Sequence, residues 1–100
     1  MKAVLHKEFG GPEVLEVSNN VETPKIDKDE VLIKVHAAGI NRPDILQRSG
    51  GYPPPPGAST ILGLEVSGEI VDVGEDINKN LLNTKVCALV PGGGLSLIHI

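Results

Sequence analysis

The sequence predicts a small, mainly β domain with one short helix, a barrel or sandwich rather than a βαβ fold. Three observations carry that expectation. Apolar residues recur with period two in short runs, Gly and Pro breaks separate those runs, and only one stretch has both helix start and stop signals. One hundred residues suit a single modest domain. Phe9 and Tyr52 are the only aromatics, so aliphatic side chains must build the core.

Residues 2–6 form a first β-type run, broken by Gly10-Gly11-Pro12, where glycine frees the backbone and proline restricts it. Residues 14–17 resume as a strand that stops at Ser18-Asn19-Asn20, and residues 24–30 are a polar connection. The clearest strand is 30–38, with Val31, Ile33, Val35 and Ala37 on one face and Leu32, Lys34 and His36 on the other. A short helix is expected over 41–49. Asn41 is a suitable N-cap, Pro43 stands in the first turn, and Asp44 complements the dipole. Its apolar side is Ile45 and Leu46 with Ile40, and Gly50-Gly51 ends it. Residues 52–57 read as a rigid loop of polyproline II character. Residues 65–73 alternate Val66, Gly68, Ile70 and Asp72 against Ser67, Glu69, Val71 and Val73, and 86–90 is a last strand before Pro91 and three glycines.

Thirteen acidic and nine basic residues give a net charge of −4, and the cations are scattered, which argues against a nucleic-acid surface. A single cysteine, Cys87, excludes a disulfide framework or a Cys-rich zinc site within these residues and suits a reducing compartment; it reads as a small buried hydrophobe. The start of the chain lacks a signal-peptide core and no apolar run is long enough to span a membrane, so a cytoplasmic location is expected. His6 and His36 fall on polar strand faces as surface residues, and Arg42 and Arg48 read as solvated helix charges.

An ordered set of motifs goes further. Gly10-Gly11-Pro12-Glu13-Val14-Leu15 is followed by Glu30-Val31-Leu32-Ile33-Lys34-Val35 and then by Ala38-Gly39-Ile40-Asn41-Arg42-Pro43-Asp44. Next come Gln47-Arg48-Ser49-Gly50-Gly51-Tyr52, the four prolines to Gly57, and Leu62-Gly63-Leu64-Glu65-Val66-Ser67-Gly68. As a set these resemble the opening of NADPH:quinone oxidoreductases, the zeta-crystallin-like branch of the medium-chain reductases. The proline loop resembles the tumour-suppressor-inducible subgroup.

The resemblance implies a GroES-like, partly open β-barrel over residues 1–94, the first part of a catalytic domain. In such proteins a Rossmann domain follows and NADPH lies between the two; no Gly-x-Gly-x-x-Gly occurs here, so that domain is expected to be absent from this chain. It also implies hydride transfer from NADPH to a quinone in the full-length parent, a homodimer formed through the missing domain, and a fragment inactive by itself. Asn41 and Tyr52 are the implied catalytic residues, and Asn41, Asp44 and Tyr52 the implied cofactor neighbours. Each keeps a plainer reading, Asn41 and Asp44 as a helix cap and Tyr52 as a ring packed on prolines. Zinc-dependent relatives of this architecture place a cysteine near Asn41 and a histidine where Leu64 stands. With only Glu65 left of a ligand set that needs about three, no zinc is expected. Glu65 itself stays open between a site role and local barrel bonding. Two alternatives remain, a zinc-free enoyl or enone reductase and, in another class, a non-catalytic GroES-like structural barrel.

Residues 95–100, Leu-Ser-Leu-Ile-His-Ile, do not fit that pattern. One reading frame of a common transposon-derived sequencing adapter encodes them, so they are expected to be a non-native tail.

Overall fold

The computed structural model describes residues 1–99. Its elements in chain order are β1 (Ala3–His6), β2 (Leu15–Ser18), β3 (Val31–Gly39), α1 (Arg42–Ser49), β4 (Glu65–Val73), β5 (Lys85–Leu89) and β6 (Ile98–His99), with 3-10 turns at Pro12–Val14 and Lys79–Leu81. Val14 thus closes a 3-10 turn instead of opening β2, because Pro12 fixes the backbone for that turn and the Val14 N–H bonds the Gly11 carbonyl.

β1 and β2 pair antiparallel, and the remaining strands form an antiparallel sheet in the order β5-β4-β3-β6. A bridge between Ala3 and Ser96 links the sheets, which among the described residues do not close into a ring. This is the expected mainly β, partly open, GroES-like arrangement. Of the six-residue tail, 95–99 run alongside β1 and β3, with the Val4 N–H bonding the Leu95 carbonyl and the Val35 N–H bonding the Leu97 carbonyl. These are backbone bonds, open to many side-chain sequences. Residue 100 lies outside the described residues.

The core is aliphatic. Ile33, Val66, Ile70 and Val90 are buried together, with Val31, Val35, Val73, Val86 and Ala88 packed around them. Two bulges alter the faces expected from strict alternation. Val71 is skipped between the pairs Ile33–Ile70 and Leu32–Asp72, and His36 between Val35–Gly68 and Ala37–Ser67. An extra residue turns the next part of its strand to the other face. Val73 therefore joins the core while Asp72 and Ala37 are exposed. On β5 the inward residues are Val86 and Ala88, which leaves Cys87 exposed instead of buried.

The helix departs most from its sequence pattern. The residues α1 buries are Asp44 and Gln47, whereas Ile40 and Leu46 are exposed. Its C-terminal end is tied to the turn after β1: the Gly10 N–H bonds the Arg48 carbonyl at 3.0 Å, and Arg48 Nε donates back to the Gly10 carbonyl at 3.1 Å. Arg48 is consequently a half-buried tether, while Arg42 is the exposed charge that was expected. That double tether sets the helix rotation, so Ile40 and Leu46 cannot turn inward.

Candidate functional site

Two of the candidate residues, Asn41 and Asp44, stand where β3 runs into α1. Asn41 caps the helix and forms a capping box with Asp44. Asp44 Oδ2 accepts from the Asn41 N–H at 2.9 Å, and the Asp44 N–H donates to the Asn41 carbonyl at 3.0 Å. The first turn is thereby fixed on the residue that faces the sheet end. Asp44 is 3% exposed and its Oδ1 has no hydrogen-bond partner among the described residues; the same holds for Nε2 of Gln47, one turn along and 2% exposed. Buried polar atoms of this kind keep the helix underside polar.

The register sets Gly39, Glu65 and Leu89 side by side across β3, β4 and β5, one residue before Ile40 and Asn41. Gly39 matters here for space. A Cβ at this position would fall 2.8 Å from Glu65 Cδ, so the Glu65 side chain lies across the glycine it faces. Nothing in the strand pattern points to that contact; the signal would have been a glycine ending one strand opposite a glutamate opening another. Leu89 is 86% exposed and Ile40 67%, which gives the sheet end an apolar rim around polar groups.

Tyr52 stands past the helix, at the start of the proline loop, and is 42% exposed. It is not buried under the prolines, so its ring and hydroxyl remain reachable. The stretch leading to Leu64 and Glu65 is held by a backbone crossing. Gly93 N–H bonds the Ile61 carbonyl at 2.7 Å, Gly94 N–H the Gly63 carbonyl at 2.9 Å, and Leu95 N–H the Leu62 carbonyl at 2.8 Å. Gly63 has φ +107°, a conformation that side chains disfavour. Among the described residues no group of three or more His, Cys, Asp or Glu side chains comes together in a way that could hold a metal.

Residues 27–94 match the alcohol dehydrogenase GroES-like domain. The chain belongs to that family. Within it, this GroES-like domain is 44% identical over 78 residues to the quinone oxidoreductase of Lama guanicoe, covering 78% of the chain and 24% of that relative. It is 38% identical over 81 residues to the chloroplastic NADPH-dependent alkenal/one oxidoreductase of Arabidopsis thaliana, covering 77% and 20%. Among solved structures, the Escherichia coli quinone oxidoreductase complexed with NADPH superposes with a TM-score of 0.81 at 33% identity, covering 99% of this chain and 30% of that one. The quinone oxidoreductase of Pseudomonas syringae pv. Tomato DC3000 gives 0.86 at 32%, covering 98% and 30%. The GroES-like domain spans about a quarter of the length of the curated relatives it matches.

Proposed function

We propose that this domain supplies one wall of the active-site cleft of a zinc-free, NADPH-dependent quinone reductase. The observation that carries the reading is the sheet end itself: Asn41 and Glu65 beside an exposed apolar rim, with Tyr52 exposed in the loop that follows α1, in a chain similar to quinone oxidoreductases. The donor set fits a nicotinamide and an electron-poor ring. It consists of an amide at Asn41 and a phenol hydroxyl at Tyr52, with apolar surface at Ile40 and Leu89 for a flat face. Bound NADPH would supply the hydride. The chain's residues orient and exclude water: Asn41 positions the carboxamide side, Asp44 fixes Asn41 through its N–H, and the Tyr52 hydroxyl donates to the acceptor oxygen as charge builds there. With Asn41 and Leu64 at the positions where zinc enzymes of this architecture place ligands, donors and desolvation take the part of a Lewis acid.

In this reading the remaining length of the relatives provides the phosphate cradle and the dimer contact, the parent enzyme is cytoplasmic, and this stretch by itself does not turn over. Catalysis by positioning needs both walls. No described helix is long and apolar enough to cross a membrane. Residues 95–100 are taken as non-native; a genomic locus in which they precede a true stop codon would refute that.

A second reading, reduction of an activated carbon–carbon double bond, is favoured by the similarity to the alkenal/one oxidoreductase. One experiment separates the two. The full-length reading frame is assayed for NADPH oxidation with an ortho-quinone and with an enone, with and without chelator. Chelator-insensitive, quinone-dependent oxidation is expected. Turnover with enones alone selects the second reading, and loss of activity with chelator overturns the zinc-free assignment.

A further inference from the structure

His6 ends β1 half-buried, with its ring between two carbonyl groups. Nδ1 lies 3.3 Å from the carbonyl oxygen of Glu8, and Nε2 lies 3.3 Å from that of Thr60, at the far end of the proline loop. A neutral imidazole carries a single N–H. Whichever nitrogen holds it, the other turns a lone pair toward an oxygen that also only accepts. An imidazolium donates to both. The Phe9 ring stands beside His6, centroids 6.2 Å apart, near the outer limit of about 6 Å at which an aromatic ring attracts a cation.

We propose that His6 is a proton-operated clamp: only the protonated ring donates to the Glu8 and Thr60 carbonyls at once, bridging the end of β1 to the Thr60 end of the proline loop. The ring forms part of a cavity of about 340 Å³ shared with Lys7, Phe9, Gln47, Pro54 and Thr60. The charged groups lining that cavity are Lys7, whose Nζ lies 3.8 Å from Glu16 Oε2, and Glu8, one of each sign. α1 contributes the uncharged Gln47, and the loop Pro54 and Thr60. Because the pair of hydrogen bonds exists only in the protonated form, the clamp closes when the ring takes up a proton and opens when it loses it. The clamped loop begins at Tyr52, so acid steadies the segment that carries that side chain. The hydrogen-bond switch itself does not depend on the reductase reading.

The test is a titration of the isotopically labelled 100-residue chain between about pH 5 and 8, following the His6 ring together with the carbonyl carbons of Glu8 and Thr60 by NMR. Both carbonyl signals are expected to move with the midpoint of the His6 ring. Amide exchange at Ala58 and Ile61, corrected for its intrinsic pH dependence, is expected to be about two- to tenfold slower on the acid side, the effect of one added hydrogen bond. His6→Phe is expected to abolish the Thr60 response. A Thr60 carbonyl that ignores the His6 midpoint, or that responds equally in His6→Phe, overturns the proposal. If the variant does not fold, the wild-type comparison of midpoints decides alone.

Discussion

Replacing Gly63 by alanine tests how firmly the crossing beneath the site is locked. Two costs arise. The residue holds φ +107°, which an alanine adopts at a strain of about 1–2 kcal/mol. Its Cβ would also stand 2.5 Å from the Leu95 nitrogen and 2.8 Å from Gly94 Cα, both backbone atoms with no rotamer to give way. Relief requires the 94–95 strand to shift, and the Gly94-to-Gly63 and Leu95-to-Leu62 hydrogen bonds are lost at about 1 kcal/mol each. The expected destabilisation is therefore about 3–4 kcal/mol, a large share of the roughly 5–15 kcal/mol that holds a domain folded. Gly57 supplies the control. It has φ +82° but nothing within 4 Å of its would-be Cβ, so Gly57→Ala carries only the strain, about 1–2 kcal/mol. Urea unfolding followed by circular dichroism measures both free energies, and in a thermal melt a fall in Tm of roughly 12 °C or more is expected for Gly63→Ala. If the two variants lie within about 0.5 kcal/mol of each other, beyond which single-site effects are meaningful, the crossing is not the rigid lock described.

Other perturbations probe the core, the cap and the rim. Ile70→Ala should cost about 2–5 kcal/mol in the same assay, because the side chain is fully packed, whereas Leu89→Ser at the exposed rim should stay within about 0.5 kcal/mol. Asp44→Ala should lose about 1–2 kcal/mol with the capping box, and Asp44→Asn, which retains an acceptor for the Asn41 N–H, should lose less. On the proposed reading, Tyr52→Phe in the full-length protein should lower kcat/KM for quinones by about tenfold, and it should leave stability unchanged because the residue is exposed. A thiol reagent should label Cys87 in the native fold without denaturant; labelling only after unfolding would contradict its outward position on β5.

Much of this fold is legible in the chain. The succession of strands along the chain, the capped helix and the glycine and proline breaks come from local chemistry, and Asn41 and Asp44 can be paired as a cap from spacing alone. The rest depends on tertiary contacts. Period-two reading places Ala37 inside and Val73 outside because nothing local announces the bulges at His36 and Val71. Isoleucines and a leucine would orient the helix, but the Gly10–Arg48 tether fixes its rotation and puts Asp44 and Gln47 beneath it. The tether joins residues thirty-eight apart, so no helical period could carry it. At the site, Tyr52 is visible as the aromatic of the proline loop, while the lie of Glu65 over Gly39 emerges only once the β3–β4 register is known.

The glycine crossing also sets an order of assembly during synthesis. β3 and β4 can pair once residue 73 has emerged, since all of their register lies between Val31 and Val73. Leu62 and Gly63 must wait for their partners Leu95 and Gly94, about thirty residues later. At a translation rate of about 5–20 residues per second that interval is roughly 2–6 s. Throughout it Leu62, one of the most buried side chains of the finished domain, lacks its backbone anchor, and the approach to Leu64 and Glu65 stays unfixed. The framework of the sheet is thus laid down first and the site-bearing turn is locked last, leaving a brief period in which a holding chaperone would find its apolar residues exposed.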